Sequence, residues 1–133
     1  MHIGEVARRS GVPAPTIRFY EAQKLLSRAD RTRSGYRLYS ERALNELAFI
    51  RRAQSLGLTL DETREILSLG RAGKKPCERV SAICTTHLAE IDRRMEELRT
   101  FREHLTAALE LSRQGCGFTP EGFCRAIFSA AEK

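Results

Sequence analysis

Residues 28–40 read RADRTRSGYRLYS. Arg28, Arg31, Arg33 and Arg37 surround a Ser34-Gly35 turn signal, and Tyr36, Leu38 and the Arg37/Tyr39 pair alternate as in a short strand. The spacing predicts a two-stranded hairpin whose guanidinium and hydroxyl groups can donate to phosphate oxygens. A glycine at its tip would let it approach another backbone closely. The same residues would also suit a solvated basic hairpin, and the segment that precedes them weighs against that reading.

Upstream, HIGEVARRSGV places Ile3, Val6 and Ala7 at i, i+3 and i+4, the pattern of a short amphipathic helix. Gly11 stops it, and Pro13 and Pro15 mark a turn. A second short helix is expected from about Pro15 to Leu25, with Ile17 and Tyr20 on one face and Arg18 on another. Two short helices around a Gly-containing turn predict a helix-turn-helix, with an ordinary helical hairpin as the alternative. With the basic hairpin beside them, the hairpin takes the position of a wing. Downstream, Ser40 is placed to cap a helix through Ala53 that turns Leu44, Leu47, Ala48 and Ile50 inward. After Gly57, Thr59 and Glu62 have the spacing of a capping box, opening a helix that carries Leu60, Ile66, Leu67 and Leu69. The run GRAGKKP, residues 70–76, breaks that helix and sets a domain boundary.

Charge follows the same division. Residues 1–75 hold 15 Lys and Arg against 8 Asp and Glu, while residues 76–133 hold 8 against 9. The front part therefore carries the whole excess behind the net charge of +6, as expected of a surface that meets a polyanion. At 41% hydrophobic and 30% charged, the 133-residue chain reads as folded and mainly helical, with no apolar run near the ~20 residues of a membrane span. The opening MHIGEVARRSG lacks the apolar core of a signal peptide, so a cytoplasmic setting is expected, where thiols stay reduced. No phosphate loop and no nucleophile–base spacing is present, which leaves little support for an enzyme.

From about Glu78 to about Arg113 there is no Gly or Pro. Val80, Cys84, His87, Ile91, Leu98, Phe101 and Leu105 recur at spacings of three, four or seven along it. Arg94 interrupts the stripe and Met95 stands beside it. A long helix with one apolar stripe needs a partner, most simply a second copy. Cys77 lies at its start, and Cys116 and Cys124 lie past its end. If the helix is continuous, its ends stand roughly 50 Å apart. Cys77 and Cys116 could then share a ligand only where two such helices pair antiparallel. Four cysteines in a reducing setting point to metal or redox chemistry. Cys84 and His87 fall on the apolar stripe and are expected to be packed, with Cys84 open as an extra ligand. His2 and His104 show no ligand spacing.

The order of two short helices, TIRFYEAQKLL, RTRSGYRLYS, LAFIRRAQSLGLTLDETREIL and a long helix resembles the MerR family of bacterial transcription regulators. The likeness spans residues 1 to about 111, and Phe19 and Ser27 depart from it where a second aromatic hydroxyl and a proline are common. It implies a mainly α fold: a winged helix-turn-helix DNA-binding domain at 1–75, an antiparallel coiled-coil dimerisation helix at 76–113, and a metal-binding loop with a short helix at 114–133. It implies that Thr16, Arg18 and Tyr20 on the second helix and Arg33, Tyr36, Arg37 and Tyr39 in the wing hold promoter DNA. The homodimer would distort that DNA so that RNA polymerase can use it. Members that sense soft metals carry one cysteine at the start of the long helix and two after it, the order of Cys77, Cys116 and Cys124. That set implies a soft divalent ion (Hg, Pb, Cd or Zn) more than monovalent Cu, whose sensors usually have serine at the first position. Aligned on His87, the usual first loop cysteine falls on Ser112, four residues before Cys116. Sensing of electrophiles or oxidants by the same thiols is the alternative. The four cysteines lack the tight cluster of an iron–sulfur member.

Overall fold

The computed structural model describes residues 1–130 and separates into two compact units, Met1–Thr85 and Thr86–Lys133. In the first, α1 (Ile3–Ser10) and α2 (Ala14–Ala22) form the helix-turn-helix. Gly11 closes α1 at φ 74°, and its N–H donates to Ala7 O at 2.9 Å. An L side chain rarely adopts that conformation, so the turn depends on glycine. Pro15 sits in the first turn of α2, where its missing N–H costs nothing. The wing consists of β1 (Asp30–Arg31) and β2 (Arg37–Leu38), antiparallel, with Asp30 opposite Leu38 and Arg31 opposite Arg37.

Helices α3 (Glu41–Ser55) and α4 (Leu60–Arg71) complete the support. The capping box expected at Thr59 is formed: Glu62 N donates to Thr59 Oγ1 at 3.1 Å and Thr59 N donates to Glu62 Oε1 at 2.9 Å. Ser40 occupies the cap position of α3 without a side-chain bond to the helix. Val6, Ile17, Leu25, Leu47 and Ile50 are fully enclosed, each such burial contributing about 1.5–3 kcal/mol. On α3 the buried face runs through Ala43, Glu46, Leu47, Ile50 and Ala53. Ala48, expected inward, is exposed, because that face places it on the opposite side of the helix.

Helix α5 is unbroken from Cys77 to Arg113, 37 residues and therefore roughly 55 Å long. Its first turns belong to the first unit, where Ile83 is buried and Arg79 pairs with Glu65 of α4. Farther along, Leu88, Ile91, Met95, Leu98, Phe101, Leu105 and Leu109 are all exposed, Leu105 to 71%. The apolar stripe read from the sequence is thus an uncovered seam in the single chain. Cys84, for which the sequence predicts a packed thiol, lies exposed on it, because that face of α5 is uncovered in the single chain. Arg93 and Arg94 bond to Glu90 and hold its carboxyl down to about 2. Beyond α5, the chain folds into a tight loop and α6 (Arg125–Ala130). No helix of the described residues is long and apolar enough to cross a membrane.

Candidate functional site

The DNA-facing expectation concerns α2 and the wing. Arg18 is exposed on α2 and Thr16, two residues closer to the N-terminus, is half-buried. A groove of about 600 Å³ beside Arg18 is lined by His2, Arg31, Gly35, Tyr36 and Arg37. Its neighbour, about 630 Å³, adds Lys24, Arg28 and Arg71 around the same Arg18 and Arg37. These cations come from separate stretches of chain, and the fold concentrates them on one surface.

The wing tip is built to hold its shape. Thr32 N donates to Tyr36 O at 2.8 Å, Gly35 N donates to Thr32 O at 2.9 Å, and Arg31 Nη1 donates to Gly35 O at 2.9 Å. Gly35 at φ 85° makes that turn possible. Arg33 projects from it exposed, and Tyr36 is 68% exposed with His2 edge-on to its ring. At the wing's far end Met1 pairs with Tyr39 in both directions: the Met1 ammonium donates to Tyr39 O at 2.8 Å and Tyr39 N donates to Met1 O at 2.7 Å.

Two expected DNA contacts lie in different surroundings from the rest. Tyr39 is 3% exposed, and its hydroxyl donates to Glu21 Oε2 at 2.7 Å. Burial, with the Glu21 hydrogen bond second, pushes the phenol up to about 12. The Tyr39 hydroxyl is thus enclosed at the base of the wing, where its proton goes to a carboxylate. Tyr20 is also buried, and its hydroxyl accepts from Gln54 Nε2 at 3.1 Å, which leaves its proton to donate. Arg37 is half-exposed, with Nε 3.5 Å from Glu21 Oε1.

Sequence reasoning missed three acid-centred contacts. Glu21 gathers Tyr39 and Arg37, and its spacing of three from Arg18 on a helix was the available signal. Glu46, 4% exposed, accepts from Ser27 N and Ser27 Oγ, each at 3.2 Å, and from Arg71. Ser27 is the departure noted above, and a proline there has no N–H to supply the first of those bonds. Glu65 meets Arg79 two residues after Cys77.

The thiols divide by place. Cys116 and Cys124 are brought together by a closed loop. Thr119 N donates to Phe123 O at 2.7 Å, Arg125 N donates to Gly117 O at 3.1 Å, and Phe118 and Cys124 form a β-bridge. The Cys116 side chain stands close enough to Cys124 to bear on its thiol. Cys124 is held below the ordinary thiol range, chiefly by the N–H of Ile127, with the N–H of Ala126 and the Cys116 thiol assisting against desolvation. Two adjacent sulfurs, one biased toward thiolate, are the donor chemistry a soft cation takes. Cys77 is exposed at the first turn of α5, in the first unit. Among the described residues no three of His, Cys, Asp and Glu converge as a metal site within one chain.

Comparison with known proteins agrees with this geometry. A family model described as MerR HTH family regulatory protein matches residues 1–69, and one described as MerR, DNA binding, matches residues 44–108. An uncharacterized HTH-type transcriptional regulator of Pseudomonas aeruginosa is 43% identical over 110 residues, 83% of each chain. The heavy metal-dependent transcription regulator 2 of Rhizobium meliloti is 37% identical over 108 residues, covering 79% of this chain and 74% of its own. Among solved structures, the transcription regulator PbrR691 from Ralstonia metallidurans CH34 in complex with lead(II) superposes with a TM-score of 0.76 at 34% identity. It covers 98% of this chain and 99% of its own.

Proposed function

Because the chain belongs to the MerR family of helix-turn-helix transcription regulators, we propose that it occupies a promoter as a homodimer and answers a soft metal ion held by cysteine thiolates. The observation that carries the metal reading is the Cys116–Cys124 pair, formed within one chain by its own loop. Cys77 of a second copy supplies the third sulfur when the α5 seams pair antiparallel, and a three-thiolate set favours Hg, Pb, Cd or Zn. Two relatives that the chain matches over most of their length point the same way, one a heavy metal-dependent regulator and one crystallised with lead(II).

On DNA, Arg18 and Thr16 enter from α2, while Arg33, Tyr36 and Arg37 take flanking phosphates from the wing. Tyr20 donates its free proton, and Tyr39 fixes the wing from beneath. Phosphate contacts of this kind position a protein on the duplex, and sequence then enters through base edges and deformability. Thiolates closing across two copies tie each α5 start to the other copy's loop. The Glu65–Arg79 pair carries that constraint into α4. A differential contact of a few kcal/mol is enough to bend and untwist the spacer and bring promoter elements into register for RNA polymerase.

A second reading follows from the same pair. Two adjacent sulfurs complete within one chain also suit a two-coordinate monovalent ion such as Cu(I), with Cys77 idle. To test the proposal, duplexes are selected from a random pool and the recovered site is footprinted with and without Hg(II) or Pb(II). An inverted repeat protected in both states, with metal-dependent distortion at its centre, is expected. A footprint that vanishes with metal, or one with no two-fold symmetry, contradicts it.

A further inference from the structure

A carboxylate stands in the middle of the cationic surface. Glu21 is on α2, one turn after Arg18, and lines the groove that Lys24, Arg28, Arg31 and Arg37 also line. Facing DNA, a lone negative charge there opposes binding, so its presence asks for a compensating task. The contacts state that task. Glu21 Oε2 accepts from the Tyr39 hydroxyl at 2.7 Å, and Oε1 lies 3.5 Å from Arg37 Nε. The first contact anchors the base of the wing to the recognition helix, and the second places the wing's arginine. The Glu21 side chain is only 14% exposed, so its charge is spent inward on these two partners more than outward on solvent.

We propose that Glu21 is a positioning residue for DNA binding: it locks wing to recognition helix and sets the Arg37 guanidinium toward a phosphate, a contact whose gain outweighs the repulsion of its own charge. The inference rests on the reading of α2 and the wing as the DNA surface. Arg37 Nε is enclosed and makes no hydrogen bond, so the guanidinium is held by charge and shape alone. Its outer nitrogens are then the part offered to the duplex. A neutral side chain at position 21 keeps an acceptor for Tyr39 and loses the hold on Arg37.

The test is Glu21→Gln in the full-length protein, with fluorescence anisotropy on the selected operator and on a scrambled duplex across a salt series. By charge alone, removing an anion tightens both complexes and leaves the salt dependence the same or steeper. The lock predicts otherwise. Affinity falls on operator and scrambled duplex alike, by about the worth of one phosphate contact, and the ratio between them holds. The log–log salt slope on the operator becomes shallower by about one phosphate contact. In an Arg37→Gln background the same change brings no further loss of affinity and leaves the salt slope where Arg37→Gln alone put it, because Glu21 acts through Arg37. Equal tightening on both duplexes, or an undiminished loss in the Arg37→Gln background, overturns the proposal. Tyr39→Phe provides a second variant that keeps the carboxylate charged. It keeps the wild-type salt slope if Glu21 acts through charge on Arg37, and a slope as shallow as that of Glu21→Gln means that the hydroxyl alone sets the wing and overturns the proposal. A wild type with no preference for any selected duplex refutes instead the DNA reading itself.

Discussion

Arg71→Met should destabilise the first unit out of proportion to its surface position. The Arg71 guanidinium donates to Leu25 O at 2.9 Å and to Glu46, tying the end of α4 to the segment that leaves α2. Its side chain is 28% exposed, whereas Glu46 is 4% exposed. Removing the arginine strands an enclosed carboxylate with only the two Ser27 donors, and breaking one side of a buried pair costs about 3–5 kcal/mol. With those donors intact and Arg71 partly solvated, the lower end, about 3 kcal/mol, is expected. Glu46→Met leaves an arginine that can turn to water and should cost about 1–2 kcal/mol. The double variant replaces the pair by apolar side chains and should return to within about 1 kcal/mol of wild type. Urea unfolding followed by helical circular dichroism, at one fixed protein concentration, reads all three. An Arg71→Met protein within about 0.5 kcal/mol of wild type, or a double variant whose cost is the sum of the singles, refutes this reasoning.

Other expectations are more local. The folded state favours the neutral Tyr39 phenol. Its contribution is therefore complete below pH about 10 and lost as pH rises towards about 12. Absorbance at 295 nm, undisturbed by tryptophan, should show a component near pH 12 that Tyr39→Phe abolishes. Arg18→Ala should weaken operator binding by about 1–3 kcal/mol in anisotropy, and an unchanged affinity would remove α2 from the interface. Leu98→Asp places a charge in the exposed seam of α5 and should convert a dimer to a monomer in sedimentation velocity. A dimer of undiminished stability would move the interface elsewhere.

What could be read from the chain was whatever local chemistry enforces. Gly11, the Thr59/Glu62 box, the Ser34-Gly35 turn and the seven-residue apolar recurrence each act within a few residues, and each appears in the structure. Family likeness added the DNA and metal reading. What stayed hidden depends on residues far apart in sequence. Tyr39 looks like a wing residue until the hairpin folds back and places its hydroxyl on Glu21, 18 positions away. Glu46 looks like a solvated helix residue until Ser27 and Arg71 converge on it. On α3, Leu47 and Ile50 lie inward and Leu44 packs against the core as read, while Glu46 takes a buried place that the sequence did not signal, since a buried glutamate carries no hydrophobic signal. Cys84 shows the reverse case: its stripe is plain in the sequence, and the thiol stands exposed on it in the single chain.

The central claim is a soft-metal site shared between two copies through Cys77, Cys116 and Cys124. Titrating the reduced protein and Cys77→Ser with Hg(II), and following thiolate-to-metal charge transfer in the ultraviolet, tests it most directly. Saturation at about one ion per chain, with the band weakened and reshaped in the variant, is the expected result. Identical bands and endpoints in the two proteins would exclude Cys77 and leave a two-sulfur site within one chain.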